Sequence, residues 1–107
     1  VSTEARLGEV WLVDFGLAAK VRPVVVLSVP LPTDARSLVV VAPLTSQLRG
    51  LRGEVDIGKP RWLPKHSAVN VQGLASIGHN ALGKKLGKLS PGQFEDVQSA
   101  LRELLEL

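Results

Sequence analysis

Cysteine is absent from the 107 residues, which excludes disulfide scaffolds, thiolate metal sites and cysteine nucleophiles. Tyrosine and methionine are missing as well, and histidine occurs only as His66 and His79. With no methionine at position 1, residues are expected ahead of Val1. The acidic residues show no paired spacing of the kind a hydrolase dyad or a metal cage requires. Gly-x-Gly-x-x-Gly and P-loop patterns do not occur, so the expectation is no nucleotide cofactor and no metal. No apolar run approaches the roughly 20 residues that span a bilayer. Nor does the N-terminus carry a basic-then-apolar signal pattern. A cytoplasmic protein without a membrane role is expected. Any active site must work through arginine, hydroxyl groups and backbone amides.

What is present is unevenly charged. Residues 1–89 carry 12 Lys/Arg against 6 Asp/Glu, whereas residues 90–107 carry 1 against 4. The basic part suits a polyanion, and the acidic tail reads as a separate helix facing solvent. At this length a single domain over residues 1–107 is expected, with one hydrophobic core.

Gly8-Glu-Val-Trp-Leu-Val-Asp-Phe15 and Lys20-Val-Arg-Pro-Val-Val-Val-Leu-Ser28 are two strand-forming runs around the link Gly16 to Val21. The second is nearly continuous in Val and Leu, as a central strand buried on both faces should be. Pro30, Pro32, Thr33 and Asp34 break it, and Ser37-Leu-Val-Val-Val-Ala-Pro-Leu44 forms a third run ending at Thr45-Ser46-Gln47. Residues 48–53 form a basic loop with Arg49 and Arg52, after which Glu54-Val-Asp-Ile57 alternates as a half-exposed strand does. A Pro-rich basic loop from Gly58 to Lys65 precedes two short strand-like pieces, Ala68–Val71 and Leu74–Ile77. Many short strands separated by turn signals indicate a small barrel or strongly curled sheet. Asn80 to Lys88 is expected to hold a short helical turn, weakened by Gly83 and Gly87.

The C-terminus reads differently. Ser90 is an N-cap, Pro91 takes the first helical position and Gln93 completes a capping box. Phe94, Val97, Leu101, Leu104 and Leu105 then recur at helical spacing, which gives an amphipathic helix packed on the sheet.

Two readings stand for Arg22. Pro23 locks its own φ and holds the preceding residue extended. Arg22-Pro23 is then either a plain strand start with a solvated charge or an arginine fork aimed at a phosphate. Thr45 divides the same way, between ordinary turn chemistry and a phosphate-directed hydroxyl. If the second and third strands are antiparallel neighbours, both residues fall at one edge of the sheet. Trp11 reads as core. Trp62, in a loop with Lys59, Arg61 and Lys65, reads as an exposed ring that stacks on a base or packs at an interface.

Gly8-Glu-Val-Trp-Leu-Val-Asp14, Val21-Arg-Pro-Val-Val-Val26, Val41-Ala-Pro-Leu-Thr-Ser-Gln47 and Leu86-Gly-Lys-Leu-Ser90 with the terminal helix resemble, in order and spacing, the MazF/PemK (Kid-like) toxins of bacterial toxin–antitoxin pairs. The resemblance implies a mainly β fold, a small SH3-like curled sheet or barrel of the MazF/CcdB kind with a C-terminal helix. It implies a homodimer that cuts single-stranded RNA at short sequences without a metal. A cognate MazE-like antitoxin, binding through an acidic disordered tail, would hold it inactive.

In the implied reaction the RNA's own 2′-hydroxyl attacks the adjacent phosphorus, leaving a 2′,3′-cyclic phosphate and a 5′-hydroxyl. Arg22 would neutralise charge on the phosphoryl oxygens and Thr45 would orient the phosphate. Lys20, Ser46, Gln47, Arg49, Arg52, Gln72 and His79 are the implied RNA contacts, with His79 a further acid–base candidate. The link before Arg22 is shorter than in many relatives, and Ala75 stands where they commonly carry arginine, so no recognition sequence follows. Two alternatives remain at this point: a CcdB-like toxin that poisons gyrase without catalysis, and an RNA-binding barrel that has lost it.

Overall fold

The computed structural model describes residues 5–14, 21–29 and 38–107. Lys20, most of the link before it and the Pro30–Asp34 break lie outside the described residues. Among the described residues seven strands and one α-helix follow in chain order: β1 Glu9–Asp14, β2 Val21–Val26, β3 Leu38–Thr45, β4 Glu54–Gly58, β5 Ser67–Asn70, β6 Ala75–Gly78, β7 Leu82–Lys88 and α1 Pro91–Leu105. All pairings are antiparallel, in the spatial order β4-β5-β3-β2-β1-β7. β3 holds two further strands on its other edge, β6 along Leu38–Val41 and β5 at Leu44–Thr45. The expected architecture, a mainly β sheet carrying a C-terminal helix, is what the chain adopts.

The Val-rich runs explain why the sheet is apolar on both sides. Along β2, Val25 faces a cluster with Val10, Ala42, Leu44, Val69 and Val97, while Val24 and Val26 face a second cluster with Val13, Val39, Val41 and Leu82. Consecutive valines point to opposite faces of a strand, so an unbroken run is buried twice. α1 covers the first face through Val97, Phe94, Leu101 and Leu104. Its N-terminus is closed as the sequence predicts: Ser90 Oγ accepts from the Gln93 amide at 3.1 Å, and Gln93 Oε1 accepts from the Ser90 amide at 3.0 Å. Leu105, expected on the apolar stripe, is 49% exposed.

Two local expectations are corrected. The short helical turn expected within Asn80–Lys88 is confined to its first two residues, and the rest is strand. A single 3-10 turn at His79–Ala81 leads into β7, which pairs with β1 at the edge of the sheet. Two register shifts in that pairing re-aim the strand, so that Leu82 packs in one cluster and Leu86 against the other. Gly87 is part of the reason: a Cβ there would collide with the Trp62 indole. Trp62, in turn, is not an exposed ring. It is half-buried against the first cluster and lies over Gly87.

Candidate active site

β2 and β3 pair with Val24 opposite Pro43, Val25 opposite Ala42 and Val26 opposite Val41. The same register extended by two residues sets Arg22 opposite Thr45. Both therefore stand at one end of the sheet, Arg22 at the start of β2 and Thr45 as the last residue of β3. Pro23, between Arg22 and the buried valines, keeps the approach extended. Arg22 is exposed and forms no ion pair with any described residue. Thr45 Oγ1 accepts from the Gln47 amide at 3.1 Å. That bond uses one lone pair and leaves the hydroxyl proton available to a ligand.

A cleft of about 620 Å3 opens at this end of the sheet. Leu12, Leu44, Leu63 and Leu86 give it an apolar floor, while Arg22, Thr45, Ser46, Gln47, Lys65 and Ser67 supply its polar groups. No carboxylate lies among the described residues that line it. Such a site suits an anion that also carries apolar surface. Lys65 is the residue that sequence reasoning underweighted: it appeared only as one of several loop charges. The signal that could have found it is that β3 and β5 pair at Thr45 and Ala68, a long-range contact no local pattern encodes.

Comparison with known proteins shows which family the chain comes from. The model of the PemK-like, MazF-like toxins of type II toxin–antitoxin systems matches residues 6–105. The chain belongs to that toxin family. A curated relative, the probable endoribonuclease MazF5 of Mycobacterium tuberculosis, is 36% identical over 99 residues, covering 88% of this chain and 86% of its own length. A mycobacterial endoribonuclease solved in complex with its cognate antitoxin superposes with a TM-score of 0.80 at 27% identity, covering 96% of this chain and 97% of that one. The MazE–MazF complex of Deinococcus radiodurans, at 22% identity, shares the fold with a TM-score of 0.81 over 98% of this chain and 99% of that one.

The remaining candidates in this toxin chain lie away from the cleft. Arg52 and Gln72 stand beside the C-terminal helix, and Arg49 is bound through its amide to β4. The Arg49 amide donates to Glu54 Oε1 at 3.0 Å, Gln72 Nε2 donates to the Arg52 carbonyl at 2.6 Å, and Arg52 Nε stands 3.4 Å from Glu103 Oε1. None of the three lines the cleft. His79 follows Gly78, which pairs with Leu38 at the far end of β3. At the rise of a strand that is about 23 Å from Thr45.

A second charged cluster stands on the opposite side of β1. The Glu9 side chain is only 7% exposed, and its Oε2 lies 2.7 Å from Lys85 Nζ. Its Oε1 accepts from the Arg6 amide at 2.8 Å and from the Trp11 indole N–H at 3.1 Å. Burial by itself would raise the carboxyl's pKa, but these partners outweigh it and hold Glu9 below its ordinary value. On the surface, the Gly58 amide and then His66 lower the pKa of Asp56, whose Oδ1 is 2.6 Å from His66 Nε2.

Proposed function

We propose that this chain is the toxin of a toxin–antitoxin pair, an endoribonuclease that cleaves single-stranded RNA at the cleft holding Arg22 and Thr45. The observation that carries the reading is the antiparallel register that brings these two residues together at one sheet end, beside a cleft with no carboxylate among its described lining residues. In the reaction the 2′-oxygen bonds to the adjacent phosphorus, the bond to the 5′-oxygen breaks, and the products are a 2′,3′-cyclic phosphate and a 5′-hydroxyl. The guanidinium of Arg22 faces the phosphoryl oxygens with a fork of donors and offsets the charge that builds on them. Thr45, its Oγ1 fixed by the Gln47 amide, donates its proton to one of the same oxygens. Arginine holds its proton in proteins, so Arg22 acts through charge. Neither histidine lines the cleft, and both proton transfers are assigned to water.

The protein works as a homodimer and is held inactive by a cognate antitoxin whose acidic segment competes for the basic surface. The similarity to an endoribonuclease solved with its antitoxin supports this. A gyrase poison needs no phosphate site, and the curated relative is named an endoribonuclease; that alternative is not favoured.

The test is to incubate the purified protein with a long RNA in EDTA and map the fragment ends. EDTA-resistant cuts with 5′-hydroxyl ends, lost in Arg22→Ala and Thr45→Ala, are expected. Intact RNA overturns the reading. RNA retained but uncut identifies an inactive binding barrel instead.

A further inference from the structure

Facing Arg22 across the cleft, the loop between β4 and β5 is pinned on the side away from the floor. Asp56 Oδ1 takes bonds from the Gly58 amide at 2.8 Å and from His66 Nε2 at 2.6 Å. Gly58, at φ +69°, sits in a bulge opposite Ser67, and bulges re-aim neighbouring side chains. Ser67, only 5% exposed, donates its hydroxyl to the Lys65 carbonyl at 3.0 Å. With His66 tied back to β4, Lys65 is the charged side chain that this loop brings to the cleft. It forms no ion pair with any described residue.

The spacing gives this lysine a task. Arg22 on β2 and the start of β5 are separated by β3, two interstrand steps or about 10 Å. Thr45 lies between them, and the floor beneath is apolar, formed by Leu44 and Leu63. Both cations lack an ion-pair partner among the described residues, and both side chains are long enough to reach inward from that separation to neighbouring phosphates of one strand, with the nucleoside over the apolar floor between them. We propose that Lys65 forms a second phosphodiester subsite, holding the phosphate next to the one at Arg22 and Thr45. This deepens the endoribonuclease reading and rests on it. An ammonium serves such a site well, because it acts as a point charge and needs no fork geometry. Lys65 is a positioning residue here: it carries RNA into register and takes no part in the bond change.

Two measurements test this together, with thermal melting to verify that each variant is folded. The first is binding of a random-sequence 12-nucleotide 2′-fluoro RNA pool, which has no 2′-hydroxyl to react, as a function of salt. Each phosphate contact contributes about −0.7 to the slope of log K against log salt for single strands, so Lys65→Ala should be shallower than wild type by about that amount, and Lys65→Arg should restore it. The second is cleavage of a natural RNA. Lys65→Ala should raise KM roughly tenfold, as loss of a charge-assisted contact does, and leave kcat within about threefold. An unchanged slope with an unchanged KM overturns the subsite while leaving the nuclease reading intact. A fall in kcat as large as that of Arg22→Ala overturns it too, because Lys65 would then act in the chemical step. Should the wild type cut nothing, the nuclease reading falls and the slope still decides the subsite. A Lys65→Ala effect confined to binding of an acidic peptide would assign the lysine to a protein partner.

Discussion

Arg22 and Lys85 are cations delivered by the two strands that flank β1, and they end in opposite circumstances. β2 sets Arg22 beside Val13, exposed and without a carboxylate partner among the described residues. β7 sets Lys85 beside Trp11, with its ammonium 2.7 Å from a buried glutamate. Lys85 has its counter-charge inside the protein and contributes to stability. Arg22 leaves its donors free, so its charge is available to a ligand. A protein built only for stability has no reason to hold an arginine, three hydroxyls and a lysine around one cleft with no carboxylate among its described lining residues. On the proposed reading the first cation serves function and the second the fold, and substitution should separate them.

The largest effect is expected at Arg22. Arg22→Ala should lower the cleavage rate about 10²–10³-fold, as loss of a preorganised charge stabiliser does, and leave the melting temperature nearly unchanged. Arg22→Lys should recover little, because one ammonium cannot reproduce the fork. If Arg22→Ala instead unfolded the protein, or if the rate were unaffected, the contrast with Lys85 would be lost.

Glu9→Ala should show the reverse pattern. It strips the acceptor from the Arg6 amide and the Trp11 indole and leaves Lys85 unpaired. A loss of about 1–3 kcal/mol is expected for such groups, read in a urea melt, with the rate of the folded protein within about threefold of wild type. The same carboxylate sets a pH dependence whose sign follows from its lowered folded pKa. In the unfolded chain Glu9 titrates near its ordinary 4.5; folded, it holds its proton only at lower pH. Its contribution is therefore complete above pH 4.5 and is lost as pH falls through the folded value. Glu9→Gln should remove that part of the acid transition. Asp56 is shifted in the same direction at the surface, so Asp56→Asn is the control that separates the two.

Much of this arrangement was legible because it is local. The Val runs of β1–β3, the Ser90–Gln93 capping box and the placement of Arg22 and Thr45 at one sheet edge all depend on neighbours in sequence or on one hairpin-like pairing. What escaped depends on contacts across the fold. The β7 segment gives no clear pattern because Gly83 and Gly87 weaken helix and strand alike, yet Gly87 is where the Trp62 ring comes to rest. Glu9 carries no signal of its own in the sequence, because its partner Lys85 is most of the chain away. Lys65 reaches the cleft only through β3–β5 pairing and the His66–Asp56 tie. Arg49, Arg52 and Gln72 carry charge or amide groups suited to RNA, but Arg52 pairs with Glu103 of the helix and the Gln72 amide is spent on the Arg52 carbonyl. The link holding Lys20 lies outside the described residues.

Lys85→Ala should cost less than Glu9→Ala, on the order of 1 kcal/mol, because the lysine is half exposed and Glu9 keeps two of its hydrogen bonds. That inequality is itself diagnostic. If removing the cation cost as much as removing the carboxylate, the ion pair rather than the satisfied amide and indole would be holding β1 to its neighbours.

The smallest effect is expected at His79, and it bears on the cleft. A lone histidine after a strand is an inviting general acid or base. The pairing of Gly78 with Leu38, however, sets it at the end of β3 remote from Thr45, about 23 Å away by strand rise. Side chains do not bridge that span, and proton transfer requires contact or one intervening water. His79→Ala should therefore leave the rate within about threefold of wild type and its pH profile unshifted. A loss comparable to that of Arg22→Ala would mean that the catalytic assembly reaches beyond the cleft within one chain, and that the Arg22–Thr45 edge is only one half of it.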